Sequence, residues 1–283
     1  MAARAAPARR AETFRIASTR GFGRLLNPRE LWRYRDVALQ IAARDVKVRY
    51  RQTLLGAAWA ILQPVGTMVV FTIFFGHLAH LSSEGSSYAV FSLSGLVPWT
   101  YFSNAVTLGS DSLVINSPLV SKVYFPRIFI PAGVVAAGLV DLTIAFLILL
   151  VVAAASGTSL SLALFAVPML VAITVAAALG VCSGLSAINV RYRDVRYVVP
   201  FATQLWLFAT PIAYPSTLLS HGWRIVAAIN PMTGVVEGFR WAVLGKPAAP
   251  WTLIGVSAAS AAVLLLLGLF YFDRVERRFA DII

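Results

Sequence analysis

Few residue types in this chain can do chemistry, and their spacing restricts what that chemistry is. His77 and His80 stand three apart, on one face if the segment is helical, which suits a metal pair or a polar end to an apolar stretch. Asp141 is the one acid well inside a long apolar stretch. A carboxylate there costs several kcal/mol unless it is paired or wetted, which leaves a structural interhelical bond and a lumen-facing role both open. Cys182, the only cysteine, also lies in an apolar stretch, so there is no intrachain disulfide framework and no cysteine-based metal site. No glycine-rich loop ends in Gly-Lys-Ser or Gly-Lys-Thr, so the chain does not bind ATP through a P-loop of its own. Aromatic residues recur: Phe71, Phe74 and Phe75 at helical spacing, Trp99, Tyr101 and Phe102 after Pro98, and Trp206, Phe208 and Tyr214 further on. Sugar rings stack their C–H faces on such side chains. Lipid-facing packing and interfacial belts produce the same periodicity.

The elements that must position these residues are six apolar stretches near 56–79, 88–110, 129–155, 160–188, 198–214 and 251–272. Most meet the length of about 20 residues that a bilayer requires of a helix. Alternating connections put 21 of the 24 Lys and Arg on one side, leaving Arg224, Arg240 and Lys246 on the other. The positive-inside rule makes the richer side, and with it both termini, cytoplasmic. A hydrophobic fraction of 59% with 13% charged residues excludes an ordinary soluble domain. The net charge of +12 then reads as a collar for anionic headgroups rather than a nucleic-acid surface. The expected class is an all-α polytopic membrane protein with one membrane domain, 52–272, and a cytoplasmic tail, 273–283. The Ala/Arg-rich stretch 1–27 lacks the apolar core of a signal peptide and reads as a disordered basic arm.

Two segments are neither spans nor plain loops. Over 28–51, Arg29, Arg33, Asp36, Gln40, Arg44 and Lys47 share one helical stripe, opposite Leu31, Tyr34, Ala38, Ala42 and Val46, with Trp32 and Leu39 beside them. Asn27 and Pro28 suit a helix start, and the pattern predicts an amphipathic helix in the membrane interface. Arg35, Asp45 and Arg49 interrupt its apolar face, so the helix bends or pairs these charges near residue 45. Over 215–250, by charge on the outer side, three short apolar pieces are separated by Gly222, Asn230-Pro231 and Gly245-Lys246-Pro247. Each is too short to cross, which predicts a re-entrant helical hairpin packed on protein or lining water.

The run Arg44-Asp-Val-Lys-Val-Arg-Tyr-Arg51, continuing to Pro64, closely resembles the start of the first span in permeases of polysaccharide ABC exporters, a type-2 exporter family. The likeness continues through Gly95-Leu-Val-Pro-Trp99, the stretch from Asn116-Ser-Pro to Phe125-Pro-Arg127, and Asn189-Val-Arg-Tyr-Arg-Asp194. Pro211-Ile-Ala-Tyr214, Asn230-Pro-Met232, Glu237-Gly-Phe-Arg240 and the run from Glu276 to Asp281 extend it over nearly everything after residue 28. That family exports lipid-linked O-antigens, teichoic acids and related glycans.

The resemblance implies a homodimer in a bacterial plasma (inner) membrane, six spans per subunit, with two copies of a separate ATP-binding subunit. ATP and Mg would then reside on the partner, with no cofactor and no metal on this chain, no catalytic residue and no nucleic acid among its ligands. The loop 111–127 corresponds to a coupling helix for the ATPase, carried by Asn116, Ser117, Pro118, Leu119, Lys122, Tyr124, Phe125 and Arg127. The amphipathic segment 28–51 corresponds to an interfacial gate helix, whose Arg44, Lys47, Arg49 and Arg51 would meet the pyrophosphate of an undecaprenyl-linked glycan, Arg bidentately and Lys as a point charge. Trp59, Phe71, Phe75, Trp99, Tyr101 and Trp206 are the candidate channel aromatics. Asn230, Pro231, Glu237 and Arg240 mark the outer hairpin at the channel exit. An exporter of drugs or small lipids, a membrane enzyme acting on lipid-linked sugars, and a passive channel are the rival readings.

Overall fold

A computed structural model describes residues 32–51, 58–122, 125–158, 161–276 and 279, and every regular element among them is helical. Helix α1, Arg35–Arg51, lies against α5, Phe129–Ala155. The two meet where Ile41 covers Gly133, at which a Cβ would stand 2.7 Å from the isoleucine Cγ2. Of the expected polar stripe, Arg33, Asp36, Gln40, Arg44 and Lys47 are all exposed, while Arg29 and the expected start at Asn27 and Pro28 lie outside the described residues. The buried stripe is rotated from the expected one and centres on Ile41, flanked by Tyr34, Val37 and Ala38. Trp32 and Leu39 stay exposed, with the Arg35 guanidinium 4.4 Å from the Trp32 ring centroid.

Helix α2, Ala58–Phe71, continues as a π-helix over Thr72–Leu78. The helix ends there, so His77 and His80 do not share a helical face: His80 sits in the following loop with a φ of 51°. Helix α3, Tyr88–Ile115, is the centre of the molecule, in contact with α2, α5 and three elements further along the chain. Its buried serines are satisfied locally: Ser94, Ser110 and Ser112 donate to the carbonyls of Phe91, Thr107 and Gly109 at 2.7–2.8 Å. Such back-bonding spares a buried hydroxyl the cost of an unmade hydrogen bond. The short α4, Ser117–Lys122, precedes α5, and a 3-10 turn over Leu162–Ala166 leads into α6, Val167–Arg191.

Four segments, Ala58–Leu78, Phe129–Ala155, Leu162–Arg191 and Trp251–Glu276, are long and apolar enough to cross a membrane. Helix α3 has the length, at 28 residues, but its serines, threonines and asparagine dilute its apolarity. The fifth expected stretch is shorter than 198–214 implied: α7 is Val195–Ala209, followed by turns through Pro211 and Pro215. Its 15 residues span about 22 Å at 1.5 Å each, short of a hydrocarbon core of about 30 Å.

The predicted outer pieces are a 3-10 turn, Ser216–Leu218, then α8, His221–Ala227, and α9, Pro231–Leu244. Asn230 caps α9 as its sequence suggested, its side chain accepting from the Met232 amide at 3.0 Å. Gly245 closes the helix in the left-handed region, φ 65°. Helix α9 is buried along nearly its whole length, packed on α3, α6 and the last helix, α10, Trp251–Glu276. Close backbone approach explains how. A Cβ on Gly234 would meet the Leu253 carbonyl oxygen at 2.3 Å, and one on Gly268 of α10 would meet the Gly180 oxygen of α6 at 1.9 Å. Apolar lipid tails give no hydrophobic drive between helices, so small residues that let backbones touch supply the packing energy.

The apolar interior has two parts. A large cluster joins α3, α5, α6, α9 and α10, while a second joins Ile41 of α1, Leu113 at the end of α3, Val120 of α4, Phe125, Phe129 and Phe272. The second cluster ties the amphipathic helix to the loop that carries α4.

Candidate functional site

A cavity of about 530 Å³ opens between the C-terminal end of α1 and helices α2, α3 and α5. Trp59, Pro64, Val97, Tyr101 and Leu142 give it apolar walls, and Gln63, Thr100 and Asn104 add polar points. None of those three side chains has a hydrogen-bond partner among the described residues. At the cavity wall, Asp141 accepts hydrogen bonds from the Arg49 guanidinium and the Tyr50 hydroxyl. The two alternatives for Asp141 therefore merge: it makes an interhelical bond and borders the cavity. Both members of the ion pair remain a little over a quarter exposed, so the pair is reachable from the cavity.

The predicted headgroup residues fall in different places. Arg49 is at the cavity, paired with Asp141. Arg44 points elsewhere, donating to Asp45 at 2.8 Å and to the Asn116 side-chain oxygen at 2.7 Å. Asn116 in turn donates to the Ser112 carbonyl, so Arg44 joins α1 to the start of α4. Two charges expected to break the apolar face near residue 45, Asp45 and Arg49, are thus paired. Lys47 is exposed, and the Arg51 side chain lies outside the described residues.

Of the aromatic candidates, Trp59 and Tyr101 line the cavity, and the Tyr101 hydroxyl donates to the Val135 carbonyl at 3.0 Å. Trp99 and Trp206 do not reach it. They pack with Phe102 in the core, ring centroids 5.2–6.4 Å apart, and Trp99 is only 3% exposed. Phe71 and Phe75 pair with each other at 5.1 Å. Gln63, Tyr50 and Asn104 were not among the sequence candidates. The spacing of Thr100, Asn104 and Thr107 on one helical face was the available signal for α3.

Around α4, Pro118 and Lys122 are exposed, as is Ile115 at 65%, while Val120 and Phe125 are buried. Ser117 and Leu119 are half-buried, and Tyr124 lies outside the described residues. Arg127 anchors the loop on α10: its guanidinium donates to the Glu276 carbonyl at 2.7 Å, and its amide donates to the Glu276 side chain.

At the other end, Arg240 of α9 is fully buried. It donates to Glu237 at 2.9 Å and to the Ile212 carbonyl at 2.6 Å, and lies 3.7 Å from the Phe91 ring centroid. Lys246 bridges Glu237, 3.9 Å away, and Glu84 in the loop between α2 and α3. Burial works to raise the Glu84 carboxyl, but hydrogen bonds from Lys246 and Thr217 outweigh it and hold the group below its ordinary range. This network fastens the α8–α9 region to the loop before α3, and Asn230 adds a bond to Thr210 at 2.8 Å.

Helices of membrane-crossing length packed round a polar-edged cavity, with an amphipathic helix at its mouth, define a multi-pass membrane protein. The chain belongs to the ABC-2 type transporter family, whose model matches residues 38–244. It is 30% identical over 255 residues to an O-antigen export system permease protein of Myxococcus xanthus, covering 89% of this chain and 97% of the relative. A permease of the same description from Klebsiella pneumoniae is 26% identical over 88% of this chain and 95% of its own. A polysialic acid transport protein of Escherichia coli is 23% identical over 82% and 91%.

Proposed function

We propose that this chain is the transmembrane subunit of an ATP-driven exporter that carries an undecaprenyl-pyrophosphate-linked polysaccharide out of the cytoplasm. The observation that supports this most directly is the cavity at the end of α1, where a basic interfacial helix meets an aromatic and polar pocket of a size for a few sugar rings. An interfacial helix brings an anionic headgroup to that mouth from the inner leaflet, while the lipid tail stays in the bilayer. Trp59 and Tyr101 offer faces for sugar stacking, and Gln63, Thr100 and Asn104 offer hydrogen bonds to hydroxyls. Weak, repeated contacts suit a conduit, since each site must release as readily as it binds.

The working assembly in this reading is a homodimer with six spans per subunit, both termini cytoplasmic, bound to two copies of a separate ATP-binding subunit that holds ATP and Mg. The exposed Ile115, Pro118 and Lys122 around α4 form the docking face for that subunit. Its closure on ATP pushes α4, and the shared apolar cluster passes the motion to α1. The α8–α9 region forms a re-entrant hairpin at the outer exit.

The test is purification from native membranes, with an ATPase assay of whatever co-purifies and polymer analysis in a strain lacking the chain. A stoichiometric ATPase together with polymer retained in the cytoplasm is the expected result. Accumulation of small lipophiles instead would move the assignment to a drug or small-lipid exporter, and a lone permease would remove the ATP-driven reading.

A further inference from the structure

The proposed headgroup site contains its own anion. Arg49 faces the cavity but is not available: Asp141 accepts from its guanidinium, and Tyr50 adds a second donor to the same carboxylate. A carboxylate held by an Arg and a phenol hydroxyl presents oxygen acceptors to the donors that a phosphate would use. The pair is neutral as a whole, which is how a carboxylate and a guanidinium are both tolerated at membrane depth. It is also only partly covered, so an anion in the cavity reaches it without the protein unfolding.

From this geometry, and resting on the headgroup reading above, we propose that Asp141 is a built-in competitor for the phosphate of the ligand. An incoming phosphate takes Arg49 and Tyr50, and Asp141 is left facing it as an uncompensated negative charge. When the headgroup advances, the carboxylate retakes Arg49 and blocks return. The consequence is a seat that binds an anionic headgroup weakly by construction. Specificity for phosphate comes from its capacity to out-compete a carboxylate, and release is driven by the competitor. The positions fit a mechanical role as well: Arg49 and Tyr50 are on α1, Asp141 on α5, so exchange at the pair uncouples the end of the amphipathic helix from the cavity wall.

The test uses the permease with its co-purifying ATPase in nanodiscs, without nucleotide, and measures binding of an isoprenyl pyrophosphate lipid and, separately, of inorganic pyrophosphate. Asp141→Asn keeps the size of the side chain and removes the competing charge. It is expected to bind the lipid about tenfold tighter than wild type, the scale of one charge-assisted hydrogen bond, and to release it more slowly. Arg49→Gln is expected to bind it about tenfold more weakly. Tyr50→Phe keeps both charges and loses one donor to Asp141, which also guards against a misfolded Asn variant; its affinity shifts less than that of Asp141→Asn. A gain with the lipid and with inorganic pyrophosphate supports a site that reads the anion itself, and a gain with the lipid alone supports a site that also reads the chain. Wild-type binding with no gain in Asp141→Asn overturns the competitor and leaves the headgroup reading standing. No lipid binding by folded wild type or Asp141→Asn overturns both, and a gain confined to inorganic pyrophosphate, with lipid binding unchanged, overturns the competitor for the headgroup alone.

Discussion

Replacing Arg240 tests whether the buried network around α9 holds the fold together. Arg240→Ala removes a fully buried guanidinium that donates to Glu237 and to the carbonyls of Ile212 and Tyr214. Removing one member of a buried ion pair costs about 3–5 kcal/mol, because the remaining charge is left desolvated and unpaired. Lys246 at 3.9 Å from Glu237 offsets part of that loss, so the low end, about 3 kcal/mol, applies. The lost contact with Phe91, at 3.7 Å, adds to it by up to about 2 kcal/mol for a desolvated cation on a ring. At roughly 2–4 °C per kcal/mol for a chain of this size, a loss of about 3–5 kcal/mol lowers the apparent unfolding temperature by about 6–20 °C. The assay is thermal unfolding of detergent-purified protein followed by size-exclusion chromatography. Arg240→Met combined with Glu237→Gln removes both charges while keeping volume, and is expected to recover much of the loss. An Arg240→Ala protein that unfolds within about 1 °C of wild type would refute the argument, as would a double variant worse than the single one.

Three further outcomes follow from other parts of the structure. Glu84 has a folded pKa below its ordinary value of 4.5, so its contribution is complete above the unfolded pKa and is lost as pH falls through the folded one. Wild type should therefore lose more unfolding temperature than Glu84→Gln between about pH 5 and pH 3, and parallel curves would sink the assignment. Gly268→Val places side-chain carbon against the Gly180 carbonyl and should separate α6 from α10, read as loss of monodisperse protein on chromatography, whereas Gly255→Ala on an open face should be silent. Asn116→Ala breaks the bond from Arg44 and, with α4 docked on the ATP-binding subunit as proposed, should lower the response of its ATPase activity to substrate several-fold; an unaltered response would show that the Arg44–Asn116 bond carries no coupling.

Much of the frame was legible because hydropathy and helix punctuation are local. The long apolar stretches, the exposed polar stripe of α1 and the Asn230 cap of α9 each depend on residues within a few turns of one another. The rotation of the α1 contact face does not, since it is set by the absence of a side chain at Gly133, more than ninety positions away from Ile41. The same distance separates Arg49 from Asp141, so the sequence showed an acid at a costly place and gave no means of naming its partner. Span five looked longer than α7 because the apolar run continues past the point where Pro211 and Pro215 end the helix, and hydropathy does not register a turn that is buried in protein.

Aromatic residues serve three different surfaces in this chain. In a membrane protein the core, the lipid face and a channel wall all accept aromatic side chains, so periodicity alone could not separate Trp59 and Tyr101 at the cavity from Trp99 and Trp206 in the core. Polar residues discriminate better, because at depth each must have a partner, water or a ligand. Glu237 and Arg240 meet most of that demand with each other and with the carbonyls of Ile212 and Tyr214, leaving the Arg240 Nε without a partner among the described residues, and the serines of α3 meet it with their own backbone. Asp141 meets it with two donors that face a cavity, beside an asparagine and a glutamine that have found no partner among the described residues. Among the described residues, therefore, the polar side chains left without partners gather at the cavity, while those of α3 and α9 are largely taken up in holding the fold.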